Sequence, residues 1–103
     1  MYRIILITTV LALLTACNWV EIRPEGQNVR VRSGGQTGQC NRIGVTNSET
    51  SARVLFFPRG SEQVQEELLI LARNEAGLMG GNTIVPDSVV NNGRQRFVVY
   101  SCP

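Results

Sequence analysis

Two residue types are missing altogether from these 103 residues: histidine and lysine. Without histidine, the usual zinc sites and the Ser/His/Asp and Cys/His nucleophile systems lose their commonest member. All ten basic residues are arginine, and against eight acids they leave a net charge of +2, which argues against a nucleic-acid footprint. A nucleophile and base pair is lacking, and so is a phosphate loop. The glycine-rich stretch Gly77 to Asn82 follows a helical pattern instead of preceding one, so it reads as a helix end and not as a nucleotide cradle. The expectation is a protein that is not an enzyme and takes no cofactor and no metal. Cysteine is scarce, at three residues. A long apolar run is lacking too: Ile4 to Leu14 is interrupted by Thr8 and Thr9 and stops short of the roughly 20 residues that a permanent membrane span requires.

What is present at the start has a recognisable layout. Met1-Tyr2-Arg3 is a short basic opening, Ile4 to Leu14 is the apolar run, and Thr15 and Ala16 are small, as in a secretory signal peptide over residues 1–16. Leu14-Thr15-Ala16-Cys17 resembles the lipobox of bacterial lipoproteins. That resemblance implies that the Cys17 sulfur receives a diacylglyceryl group and that Cys17 becomes the first residue of the mature chain, anchoring it to a membrane. Asn18 follows, where lipoproteins retained in the inner membrane commonly carry aspartate, so the same resemblance implies the outer membrane with the domain facing the periplasm. Residues 17–27, with Pro24, Gly26 and little periodicity, read as a lipidated tether. Trp19 has two equally good placements, at the headgroup level or packed on the domain. Removing Arg3 leaves nine arginines against eight acids. The remaining chain is long enough for one small domain, residues 28–103, whose core buries about 60 to 65% of the unfolded surface.

With Cys17 lipidated, Cys40 and Cys102 remain as a pair in an oxidising compartment, where a disulfide is favoured over free thiols or a two-thiolate metal site without further ligands. Val29-Arg30-Val31-Arg32 alternates as a half-buried strand does, with its valines toward the core. Arg30 and Arg32 then share the outer face, where they either contact lipid phosphates or an acidic partner or, more commonly for such a pair, are simply solvated. Short strands are expected around Ile43 to Thr46 and over Arg53 to Phe57, with at least one of Phe56 and Phe57 buried. Ser61 is placed to cap an amphipathic helix in which Val64, Leu68, Leu71, Ala72, Glu75, Leu78 and Met79 follow the helical repeat, while Gln63, Glu66, Glu67 and Arg73 face water. Ala72 and Ala76 suit close approach to a sheet, and Gly80-Gly81 suits a left-handed cap. Thr83 to Pro86 returns as a strand, Asn91-Asn92-Gly93 turns, and Gln95 to Tyr100 forms a last strand. The fold class is α+β: a small β-sheet with one helix on one face, linked by a disulfide.

Residues 72–85, "ARNEAGLMGGNTIV", together with the lipobox, a cysteine near the first strand and the ending "YSCP", resemble small bacterial lipoproteins grouped as domain-of-unknown-function family 4156. The resemblance runs over nearly the whole mature chain and implies a secreted, lipid-tethered module of unassigned function; it supplies no catalytic residues to map onto this sequence. The helix, glycine turn and strand are also distantly similar to the envelope-stress sensor lipoprotein of the Rcs phosphorelay, whose globular part has four cysteines where this chain offers two. The expected role is a non-catalytic interaction, structural or stress-related module that binds another envelope component. The alternative is a small-ligand binder or enzyme using Asn74, Glu75 and Tyr100, against which stands the commonness of Asn and Glu as solvent-facing helix residues.

Overall fold

The computed structural model describes residues 20–54 and 57–103. The signal peptide, Cys17, Asn18 and Trp19 lie outside the described residues, as do the side chains of Phe56 and Phe57. Among the described residues, six strands and one α-helix are seen: β1 (Arg30–Val31), β2 (Asn41–Glu49), β3 (Arg53–Val54), β4 (Phe57–Pro58), α1 (Ser61–Leu78), β5 (Thr83–Pro86) and β6 (Arg94–Ser101). Four strands form one mixed sheet in the order β1-β5-β6-β2, with β1 parallel to β5 and the other pairs antiparallel. The α+β architecture expected from the sequence is therefore present.

The expected strand at Arg53 to Phe57 is instead the small β3-β4 hairpin, in which Arg53 pairs with Pro58 and Val54 with Phe57. The strand expected at Ile43 to Thr46 is nine residues long, because its whole length pairs with β6 from Asn41 opposite Ser101 to Glu49 opposite Arg94, with a bulge between Arg42 and Gly44. Helix α1 crosses one face of the sheet. Val64, Leu68, Ala72 and Ala76, at the spacing of one helical stripe, are buried, and Ala72 and Ala76 join Val29, Ile84, Phe97 and Val99 in the core. Val29 is buried as expected, but Val31 is 45% exposed, since it sits on an edge strand of only two residues.

The helix ends differ in how they are satisfied. At the start Gly60, not Ser61, is the cap residue, and no side chain bonds the first turn; Ser61 is the first helical residue. At the end the Gly81 N–H donates to the Ala76 carbonyl at 2.8 Å and the Gly80 N–H to Gly77 at 3.1 Å, with Gly80 at φ 86°. This is the paired-bond Schellman arrangement that the glycine pair predicts. Leu78, expected on the apolar face, is 63% exposed just before that cap. At the opposite end of the sheet, Asn92 (φ 51°) and Gly93 (φ 73°) make the two-residue turn between reciprocal Asn91 and Arg94 backbone bonds.

Candidate functional site

The residues singled out from the sequence are distributed over both layers. Asn74 faces the segment before β1, where its amide donates to the Glu21 carbonyl at 2.9 Å and its side-chain oxygen accepts from the Arg23 N–H at 2.8 Å. Arg73, expected in water, is half-buried and donates to the Val29 carbonyl at 2.9 Å and the Gln27 carbonyl at 3.1 Å. One turn on, Gly77 has no side chain because the backbone of Glu25 lies against it: a Cβ there would sit 1.9 Å from the Glu25 carbonyl oxygen. Residues 21–27, including a 3-10 turn over Pro24–Gly26, are therefore a strap docked on the outer side of α1 and not a free tether. The helix is sandwiched, with Ala72 and Ala76 toward the sheet and Arg73, Asn74 and Gly77 toward the strap.

The alternative trio is not brought together by these contacts. Both ends of the Asn74 amide are engaged by the strap backbone. Glu75 is exposed and lines an open groove of about 510 Å³ with Leu71 and residues 45–49 of β2, a groove that includes neither Asn74 nor Tyr100. Tyr100 lies on the face of the sheet away from the helix. Register places it in one row with Arg30, Thr83 and Arg42. Arg30 is exposed in that row. Arg32 is half-buried beside the disulfide, in a cleft of about 310 Å³ that Gly35, Gln36 and Cys102 also line. Among the described residues no group of three or more carboxylate or cysteine side chains is placed to hold a metal ion.

Cys40 and Cys102 are joined, with Cα atoms 4.3 Å apart. They continue the β2-β6 ladder by one pair beyond Asn41 and Ser101, at the spacing of a non-hydrogen-bonded antiparallel pair. Asn82 holds the same end: its side-chain oxygen accepts from the Cys102 N–H and its amide donates to the Cys102 carbonyl, both at 2.8 Å.

The most buried charges were not expected. Glu67, assigned to water, is 8% exposed; its carboxylate forms a two-pronged ion pair with Arg59 and accepts from the Thr50 hydroxyl at 2.7 Å. Arg59 also donates to the Ser51 carbonyl at 3.0 Å. The Arg59 hydrogen bonds hold the Glu67 carboxyl below its usual value; burial opposes this shift, and the Thr50 bond and the Arg59 charge add to it. The pair pins the segment around the β3-β4 hairpin to the helix.

These features define a small disulfide-bonded α+β module whose helix is clasped by the chain that precedes its first strand. The chain belongs to the domain of unknown function family DUF4156, whose sequence model matches residues 20–102. The match thus begins with the docked strap. No curated protein and no solved structure matches, so the likeness to the Rcs stress sensor is not shown by these comparisons.

Proposed function

We propose that the mature protein is a lipid-anchored envelope lipoprotein of the outer membrane, facing the periplasm, whose domain serves as a non-catalytic interaction, structural or stress-related module. The observation that carries the reading is Cys17, placed at the end of a signal-like run in Leu14-Thr15-Ala16-Cys17 and directly ahead of the family domain that starts at residue 20. The Cys40–Cys102 disulfide suits an oxidising compartment. Asn74, the centre of the alternative enzyme or ligand-binding reading, is already engaged on both sides of its amide, which favours the non-catalytic role.

Labelling cells with a traceable fatty acid tests the anchor. Wild type is expected to take up label and to fractionate with outer membranes, Cys17→Ser to lose the label and accumulate as precursor, and Asn18→Asp to shift toward the inner membrane. Full labelling of Cys17→Ser would remove the basis of the reading.

A further inference from the structure

The strap changes what a lipid on Cys17 would do. A chain free up to Gln27 would let the domain wander well away from its anchor. Glu21 and Arg23, however, are already fixed to Asn74, so only residues 18–20 separate Cys17 from the fold. The four steps from Cys17 to Glu21 span at most about 14 Å fully extended. Helix α1, with 18 residues, is about 27 Å long, so the connection is shorter than the domain it holds.

The strap is held near the C-terminal end of α1, which is also the disulfide end of the sheet. Exposed Leu78 lies at that end, the next residue after Gly77, against which the strap backbone packs. The charges are unevenly divided as well. Arg23, Arg30, Arg32, Arg42 and Arg73 lie in the half toward the strap attachment and the disulfide, against three carboxylates, Glu21, Glu25 and Glu75. The half with the helix start and the Asn92-Gly93 turn has four arginines against five carboxylates. A surface of anionic phospholipid attracts nearby basic side chains within about a Debye length, roughly 10 Å, so this imbalance acts over the distance the short connection allows.

We propose that the end of the domain carrying the strap attachment, Leu78 and the disulfide rests on the phospholipid headgroup layer that holds the Cys17 lipid, leaving the Asn92-Gly93 end pointing away from the membrane. The inference rests on the lipid anchor proposed above. It assigns a membrane-contact face that the anchor alone does not specify. The opposite end, with Val89, 82% exposed, is then the part presented to other envelope components.

The test uses the full lipidated protein, reconstituted in vesicles of phosphatidylethanolamine and phosphatidylglycerol that contain a headgroup spin-labelled lipid. With Cys17 acylated and Cys40 bonded to Cys102, Leu78→Cys and Val89→Cys each supply one free thiol for a fluorophore, both at exposed positions that tolerate it. Quenching is expected to remove most of the emission at position 78 and little at 89. A flexible Gly/Ser insert of about 20 residues after Asn18, whose ends average about 25 Å apart, is expected to weaken the quenching at 78. Equal quenching at the two positions, or stronger quenching at 89, in protein that carries labelled fatty acid would overturn the orientation while leaving the lipoprotein reading intact. Absence of fatty acid from Cys17 would overturn both.

Discussion

Asn82 commits every polar group it has. Its N–H donates to the Tyr100 carbonyl at 3.0 Å, its carbonyl accepts from the Arg30 N–H at 2.9 Å, and its side chain closes the two bonds to Cys102. One residue thus joins β1, β6 and the chain after it, which gives the Gly80-Gly81-Asn82 turn a structural reason for its last member. Replacement by Ala removes both bonds to Cys102 and the one that the Asn82 side-chain oxygen accepts from the Thr83 hydroxyl at 3.1 Å, and is expected to cost about 1 to 3 kcal/mol, whereas Asp keeps an acceptor for the Cys102 N–H and the Thr83 hydroxyl and should cost less; urea unfolding of the two variants checks the order. Glu67 makes a different prediction. Its carboxyl is held below the usual value, so its contribution is fully present above the unfolded pKa near 4.5 and is lost as the pH falls through the lower folded value. Glu67→Gln should therefore lose about 1 to 3 kcal/mol at pH 7. The gap between wild type and variant should close in strongly acid solution, as followed by denaturant unfolding at each pH. A gap of constant size across that range would mean that shape, not charge, is what Glu67 supplies.

Helix α1 was legible because burial of a single stripe imposes a period, and Val64, Leu68, Ala72 and Ala76 carry it. The strap was not, because it docks through backbone groups: the carbonyls of Glu21, Glu25 and Gln27 and the N–H of Arg23 leave no apolar pattern for a reader to find. Its traces in the sequence are two glycines at the contact: Gly26 of the strap, where a Cβ would sit 2.5 Å from the Asn74 side-chain oxygen, and Gly77, a residue that costs about 1 kcal/mol against Ala inside a helix and so asks for a reason. Glu67 was misplaced for a related cause: its position flanks the apolar stripe, and what buries it is Arg59, eight residues earlier in a segment whose path no periodicity reveals. Two substitutions separate the two sides of the helix. Gly77→Ala improves helix propensity by about 1 kcal/mol, yet the added Cβ would meet the Glu25 carbonyl oxygen at 1.9 Å, so the strap must move. Hydrogen exchange should speed up at the Arg23 and Gly26 amides with little change in β6. Ala76→Leu puts bulk against the sheet and is expected to cost about 1 to 3 kcal/mol across the whole domain, while Gln63→Leu, on the exposed side, changes little. Slow exchange retained in the Gly77→Ala strap would show that the close approach is not needed to hold it.

At the scale of the molecule, the disulfide and the sheet order act together. The pairing of Cys40 with Cys102 was readable from the expected oxidising compartment and the cysteine count, but the order β1-β5-β6-β2 was not, since alternation tells which way a strand faces and not which strand lies beside it. In the folded protein β2 and β6 are neighbours along eight paired positions, and the disulfide sits at the end of that ladder, closing a loop with a sequence separation of 62 that contains the helix and every strand except β1. Two consequences oppose each other. The long loop makes the entropic effect on the unfolded chain large, about 4 kcal/mol in the loop-closure model. The ladder, however, already aligns the two cysteines without the bond, so its loss leaves native geometry undisturbed and no strained contact to relax. The double variant Cys40→Ala/Cys102→Ala, which leaves no stray thiol, should therefore keep the native fold at low temperature while losing about 2 to 5 kcal/mol of stability. For a domain of this size that is a large fraction of the total, so the thermal midpoint should fall steeply. The strap, which lies outside the closed loop, tells the two effects apart: if the loss is an unfolded-state effect, exchange at Arg23 and Gly26 rises only as much as the global unfolding does. A selective rise at the Asn82 end of the sheet, with the strap and the helix unchanged, would show instead that the bond holds that end of the native sheet in place.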